Sequence, residues 1–581
     1  MPILRKIFGI DLRTLALFRV LVGMLILSDL LARAQNLTAH YSDYGIFPRR
    51  MALNTTFSLH LLSGEPVFIA VLFLIAAIFA VFLIFGYKTR ISAIISFILL
   101  LSVQNRNPQI TQLSDNLLTL LLFWGIFLPM GAKFSVDSAL NKTKSESNLY
   151  FSAASMGLLL QAMCVYFFGA LAKQAPEWHN GLAVYQILHW ESYAAPFAYW
   201  LRELPIWVTK SITYYVYYIE LIGPFLMFSP IFQVPLRLLV ITLYCILHLG
   251  FIFTLGIGLF PYVSFASFIT FLPGKVWDWL EKLGRSQERA GVEIYYDKDC
   301  GFCFKTCLLF REFCLPESTP IRPAQDYPEY YATMQQYNSW VVKDYDDRKY
   351  VRWEAVVLVL ERSIFFRPLS YLFEPLFMQK FGDWLYEKIA VNRPRLGTLS
   401  SRFLRFHEAD YKTSRLTNII IGILVVINLN WNVAGYLKNG FPPIFMPVIK
   451  YLNIPYWTMF TGFPPEPGHW YIIEGKLKNG AIVDAYNGSE ERPSHIKPEY
   501  PYYNFEDYRW RKYLQHFHWK GSENEFGRYF CYKWNESHAP DKQLQRLDVT
   551  IGVEAYVPSD SRIISSQYRA FGYDCGAGKV D

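Results

Sequence analysis

The sequence predicts three parts in series: a polytopic α-helical membrane domain of about eight spans plus one later span, an α/β domain inserted ahead of that last span, and a C-terminal β-rich extramembrane domain. Three observations predict it. Uncharged, aromatic-rich runs fill the first 275 residues, and Tyr295–Cys303 reads YYDKDCGFC, a Cys-x-x-Cys pair after a short apolar stretch. From Gly440 onward the chain turns polar and turn-rich. At 581 residues it exceeds what one core can serve. It is 52% hydrophobic and 18% charged, with 46 Phe and 40 Tyr, which suits a bilayer protein better than a large soluble enzyme.

A spanning helix needs about 20 apolar residues, fewer where neighbours shelter its ends. Val67–Gly86 carries no charge and is the cleanest span. Leu12–Arg33, Ile91–Gln104, Leu117–Gly131, Tyr150–Ala172 and Ser211–Ser229 are further spans. Residues 238–274 are uncharged and too long for one pass, so two helices broken near Gly256–Gly258 are expected. Leu416–Leu437 is the later span. The predicted domains are therefore 1–275, 291–400, the helix 415–437, and 440–581. In the last, Trp470–Gly475 and Ala481–Ala485 flank Lys478-Asn479-Gly480, a hairpin signal.

Basic residues set the orientation. With the N-terminus in the cytoplasm, Arg5, Lys6, Lys88, Arg90, Lys133, Lys142, Lys144, Lys275, Lys282, Arg285 and Arg289 lie inside. The other side receives Arg49, Arg50, Arg106, Lys173, Arg202 and Lys210. Residues 291–400 then meet a reducing compartment, and the C-terminal domain lies outside, where Cys531 and Cys575 are candidates for a disulfide. Arg13 and Arg19 interrupt the first apolar run, so a retained first helix is expected rather than a cleaved signal. The net charge of +8 comes with no basic block and no nucleic-acid motif, and no Gly-rich phosphate loop follows a strand. Neither nucleic acid nor a nucleotide cofactor is expected.

Val292–Tyr296 reads as a strand and Phe304–Cys314 as a helix. A strand feeding a Cys-x-x-Cys helix is the thioredoxin-like arrangement. Helix N-terminal N–H groups favour a thiolate on Cys300, and Cys303, one turn on, resolves a mixed disulfide. Asp297, Cys300 and Cys303, with Trp340, Trp353-Glu354-Ala355, Gly382-Asp383, Tyr386, Ala390 and Asn392-Arg393, resemble the signature of the DCC family of predicted thiol–disulfide oxidoreductases. Lys298 stands where that family usually has glycine, so a different turn is expected. The same cysteines read alternatively as packing residues. Cys307 and Cys314 lie on the same helix, but no nearby histidine completes a metal set, and no metal is expected.

In the membrane domain Lys173 ends an apolar helix, Glu220 interrupts an aromatic one, and His248 lies within the long uncharged region. Ionisable groups at membrane depth cost about 2.5–3.5 kcal/mol each and persist where they face a polar cavity or a partner. A desolvated lysine can serve as a base towards a lipid-soluble weak acid such as a hydroquinone. The alternatives are a snorkelling Lys173, a Glu220 paired with Arg13 or Arg19, and a satisfied core His248.

The blocks Ile10-Asp11, Leu17-Phe18-Arg19, Gly23, Tyr41-Ser42-Asp43, Gly45 and Pro48 resemble the horizontally transferred transmembrane domain shared with vitamin K-dependent γ-glutamyl carboxylases. Lys173, Trp178 and Gly181 are similar to the stretch that carries the lysine base of those enzymes. His248 matches a later histidine, and Tyr456–Phe460 resembles the opening of their luminal region. The resemblance implies an integral membrane enzyme that acts on a reduced, vitamin K-like quinone with oxygen. Lys173 would be its base, and Trp178, Glu220 and His248 would be supporting groups. The partners expected are membrane lipids, a protein or peptide substrate and a thiol redox partner, and the setting a bacterial inner membrane. The alternative is a membrane thiol–disulfide oxidoreductase whose transmembrane part is a lipid- or quinone-binding or protein-handling scaffold.

Overall fold

The computed structural model describes residues 2–52, 57–143, 147–283, 287–459, 468–517, 521–557 and 562–580. Lys144, Arg285 and Phe460, used above, lie outside them. Each expected apolar span contains a helix: α1 (Leu12–Gln35), α2 (Pro66–Phe85), α3 (Thr89–Arg106), α4 (Leu113–Gly125), α5 (Ala153–Leu171), α6 (Ile206–Met227), α7 (Gln233–Thr254) and α8 (Phe260–Ile269). Among the described residues five helices are long and apolar enough to cross a membrane: α1, α2, α5, α7 and the later Arg415–Leu437.

Two expected spans are shorter than foreseen. α4 stops at Gly125 because the chain folds back at residues 126–134, and the returning carbonyls have a task. Arg19 of α1 is buried and donates to the carbonyls of Met130 at 3.0 Å, Lys133 at 3.3 Å, Ile84 at 3.3 Å and Phe134 at 2.6 Å. Gly86 closes α2 at φ 66°, and a Cβ there would lie 2.6 Å from the Arg19 guanidinium. α8 is short because the break before it docks the C-terminal domain. A Cβ on Gly256 would strike Tyr502, and the Gly256 carbonyl accepts from Arg511.

Past the bundle, β1 (Glu293–Tyr296), α9 (Gly301–Cys314), β2 (Ile321–Pro323), α10 (Pro328–Tyr337), β3 (Val341–Lys343), β4 (Lys349–Val351) and α11 (Arg352–Glu361) form an α/β unit. Its sheet order is β2-β1-β3-β4, with β1 and β2 parallel and the other pairs antiparallel. Val292, Ile294, Cys307, Trp340, Val342 and Leu358 fill its core. Lys298 is not among the residues at positive φ, and its N–H donates to Gln325 Oε1 at 3.1 Å. The turn therefore has no need of the glycine, and the lysine is accommodated without strain.

The later helix α12 (Arg415–Leu437) returns to the bundle and packs on α5, where Asn428 donates to Gln161 at 2.9 Å. Beyond it, β5 (Gly468–Leu477), β6 (Ile482–Asp484), β7 (Leu544–Val557), β8 (Arg562–Asp574) and β9 (Lys579–Val580) form an antiparallel sheet in the order β9-β8-β7-β5-β6. The β5–β6 hairpin turns at Gly480, at φ 89°. Cys531, on the helix Glu523–Asn535, and Cys575 are joined in a disulfide.

A buried charge cluster fastens this domain to the bundle. Arg33 Nε donates to Asp29 at 2.7 Å and its Nη2 to Asp115 at 3.0 Å. Arg509 of the C-terminal domain donates to Asp29 at 2.5 Å and to both Asp115 oxygens at 3.0 and 3.1 Å. Two guanidinium groups and two carboxylates cancel, which is what makes their complete burial tolerable. Arg509→Met strands two carboxylates against one arginine. It should cost about 3–5 kcal/mol, read as a lowered unfolding midpoint in detergent, and Asp115→Asn in the same background should recover part of the loss.

Beside the cluster, His40 is fully buried, with its ring centroid 4.7 Å from that of Trp510. Burial first, then the charges of Arg509 and Arg33, push its pKa from 6.5 down to about 3, against the opposing pull of Asp507. Its folded pKa therefore lies below its unfolded one. Below about pH 6.5 the unfolded chain takes up a proton that the fold refuses, so stability falls as pH drops from there towards 3. At pH 5 this single group should cost about 2 kcal/mol. The drop in unfolding midpoint between pH 7 and pH 5 should be smaller in His40→Asn than in the wild type.

Candidate functional site

Lys173 lies two residues past α5, and Glu220 lies on α6 where the two helices pack. The Lys173 side chain is 2% exposed and donates to Glu220 Oε2. Lys173 therefore does not snorkel, and Glu220 is partnered by it rather than by Arg13 or Arg19. Arg13 is held by Asp11, Asp278 and Glu281, each at 2.8 Å, and Arg19 by carbonyls. Lys173 Nζ stands 5.0 Å from the Trp178 ring centroid, a cation–π contact that orders the ammonium on its remaining side.

The pair forms part of the wall of a cavity of about 320 Å³ between α6, α7 and the segment 184–201. The rest of the lining is almost wholly apolar, with Ile187, Leu188, Ile212, Val216, Leu247 and Phe251 prominent. Its other hydroxyls are committed to backbone: Tyr215 donates to the Leu243 carbonyl, and Thr254 to that of Gly250 at 2.7 Å. A polar atom entering this space meets the Lys173–Glu220 pair and little else. Gly250 of α7, one of the lining residues, is exposed, and an added Cβ there would meet nothing within 4 Å.

His248 is also fully buried, yet it lies behind the wall rather than in it. Its Nε2 is 2.9 Å from the Tyr166 hydroxyl, and the rings of Phe251, Phe260 and Phe268 surround it at 5.3–5.4 Å. The Tyr166 ring packs against that of Tyr244, tilted by 36° with centroids 4.4 Å apart, and Tyr244 donates to the Ile219 carbonyl at 3.1 Å, one residue before Glu220. Sequence reading missed Tyr166, Tyr215 and Gly250. Tyr166 had a signal, since it lies two turns before Lys173 on the same face. Tyr215 and Gly250 had none, because lining a cavity depends on how α6 and α7 cross.

Cys300 and Cys303 sit elsewhere, joined as a disulfide at the start of α9. Cys300 caps the helix, its sulfur accepting from the Cys303 N–H at 3.2 Å. Asp297, in the preceding turn, accepts from Gln325 at 2.7 Å and from the Asp299 N–H at 3.1 Å. Cys307 and Cys314 are core residues, and burial pushes both thiols up, that of Cys314 to about 12. Among the described residues no group of three or more His, Cys, Asp or Glu side chains is placed to hold a metal ion.

The two centres lie at opposite ends of the bundle. Glu312 of α9 accepts from the Phe134 N–H at 2.7 Å, and Glu317 pairs with Lys133 at 2.7 Å. Lys173 lies at the end capped by the C-terminal domain, where Ser192 accepts from the His469 N–H at 2.8 Å. The 19 residues of α5 between those ends span about 28 Å.

No curated protein and no solved structure matches the chain. Residues 9–279, which hold the pair and the whole cavity, match the model of the HTTM domain, and among the described residues five helices, four of them within that match, are long and apolar enough to cross a membrane.

Proposed function

We propose that the membrane domain is a carboxylase-like enzyme site that takes a proton from the hydroxyl of a reduced, vitamin K-like quinone, with oxygen as co-substrate. The observation that carries this reading is a lone buried ion pair on the wall of an otherwise apolar cavity. That donor set fits a flat, greasy ligand with one acidic hydroxyl, and the volume falls within the ~300–1,000 Å³ of small-molecule sites. A reduced quinone, when bound, supplies that hydroxyl and the electrons that reduce dioxygen.

Lys173 and Glu220 hold one proton between them and are neutral as a unit. On taking a second proton from the ligand hydroxyl they become an ammonium and a carboxylic acid. The ammonium then faces the oxygen that lost the proton, in a space where little water screens the attraction. Trp178 fixes the direction of Nζ. Tyr166 and His248 brace the α5–α7 contact from behind. Addition of carbon dioxide to a protein or peptide glutamate belongs to the same reading and follows from the resemblance to the carboxylases.

The α/β unit supports a second, separate activity: a DCC-type, thioredoxin-like dithiol module. Its sheet order, with the central strand leading directly into the Cys-x-x-Cys helix, supports that reading. The placement of the two centres at opposite ends of the bundle favours independent chemistries over direct transfer from thiol to quinone. We place the module and N-terminus in the bacterial cytoplasm and the disulfide-bearing C-terminal domain outside the inner membrane, in keeping with the basic residues at the module's end.

The purified protein, given reduced naphthoquinone and oxygen, should form the quinone epoxide and water. Lys173→Ala should lose about 10²–10⁴-fold of that rate and unfold at a lower midpoint because Glu220 is left buried without its partner, and adding Glu220→Gln should recover part of the midpoint without recovering the rate. A folded, quinone-saturated wild type that forms no epoxide would sink the proposal. Cys300→Ser should abolish reduction of a disulfide probe and leave epoxide formation unchanged, and a parallel loss of both would show that the centres are coupled.

A further inference from the structure

Between α11 and α12 the chain forms three helices, Arg367–Phe373, Leu376–Val391 and Arg393–Phe403. One face of the middle helix is fixed to the α/β unit. A Cβ on Gly382 would lie 2.1 Å from the Trp353 ring, and the Tyr386 hydroxyl accepts from the Trp340 N–H at 3.3 Å. Another face is apolar and bare. Phe377, Phe381, Trp384 and Val391 are between 51% and 71% exposed, and they recur at the spacing of a single helical stripe. Lys388 completes the stripe, with Nζ 6.0 Å from the Trp384 ring centroid. Leu372 before it and Phe403 after it, both more than half exposed, extend the patch onto the neighbouring helices. A contiguous apolar patch of this kind is not left in water without a partner.

Its position says what covers it. Tyr87, just beyond the apolar helix α2, donates to the Phe403 carbonyl at 3.0 Å, and α12 enters the apolar bundle a short linker later. Lys305 of the dithiol helix donates to the Ser400 carbonyl at 3.0 Å, which locks the three helices to α9. The patch therefore lies at the level where the apolar bundle ends. Arg367, Lys380, Lys388, Arg393, Arg395 and Arg402 outnumber Glu374, Asp383 and Glu387 across the three helices. Aromatic side chains beside lysines and arginines suit the boundary between acyl chains and anionic headgroups.

We propose that the Leu376–Val391 stripe, with the adjoining ends of its neighbours, binds an anionic lipid surface and lies in the headgroup region of the bilayer. The α/β unit is then held against the membrane along this face, and the height of the Cys300–Cys303 centre above the lipid is fixed by it. The inference stands whether or not the cavity at Lys173 binds a quinone.

Photocrosslinking of the full-length protein in proteoliposomes of mixed zwitterionic and anionic phospholipid tests it. Benzoylphenylalanine is placed in turn at Phe377, at Phe381 and at Gln336, which is exposed on α10. Lipid adducts at Phe377 and Phe381 should exceed those at Gln336 several-fold. Charge reversal by Lys380→Glu with Lys388→Glu should lower the anionic share of those adducts several-fold. Adducts to a second copy of the chain, or lipid adducts no higher than at Gln336, would overturn the proposal. An anionic share unmoved by the charge reversal would overturn its electrostatic half.

Discussion

Charge that cannot reach water must be cancelled where it stands, and this constraint shapes the bundle from one end to the other. At the module end, Arg13 is ringed by Asp11, Asp278 and Glu281, and Arg19 by four carbonyls from two returning segments. At the far end, Arg33 and Arg509 share Asp29 and Asp115. The Arg33–Arg509 cluster is the costliest to break, because each partner left behind there is a buried ion. Together these arrangements fix where α4 stops, how α2 turns at Gly86, and how the C-terminal domain sits on the bundle.

Lys173 and Glu220 obey the same rule with one difference. The Arg33–Arg509 cluster is fully buried, whereas among the described residues Lys173–Glu220 is the one ion pair on the wall of the apolar cavity. An arginine holds its proton under all ordinary conditions, so those clusters are fixed in charge. A lysine facing a carboxylate can pass a proton either way and remain neutral as a unit. The same physics that makes Arg33 and Arg509 structural makes Lys173 suited to chemistry.

Much of this could be read from the chain. Each apolar run became a helix, the hairpin turned at Gly480, and Lys173, Trp178 and Glu220 met at one cavity. What could not be read was partnership across long separations. The residue pattern alone left a snorkelling Lys173 open and offered Arg13 or Arg19 to Glu220. The correct pairings depend on helix crossings and on the fold-back after Gly125, which no local pattern encodes. The Arg509 cluster joins residues from α1, α4 and the C-terminal domain, and nothing in the YRWRKYL stretch marks its first arginine as buried. At Lys298 the backbone avoids positive φ, as a lysine standing in a glycine position requires.

The central claim is that the Lys173–Glu220 pair takes a proton from an acidic hydroxyl held in an apolar space. The most direct measurement is the ionisation state of such a hydroxyl when bound. A lipophilic nitronaphthol, whose anion absorbs visible light, can be added to the protein in nanodiscs at a pH below its solution pKa. The account predicts the spectrum of the anion with the wild type and that of the neutral form with Lys173→Met. A neutral spectrum in the wild type, with binding shown by displacement with a quinone, would contradict it.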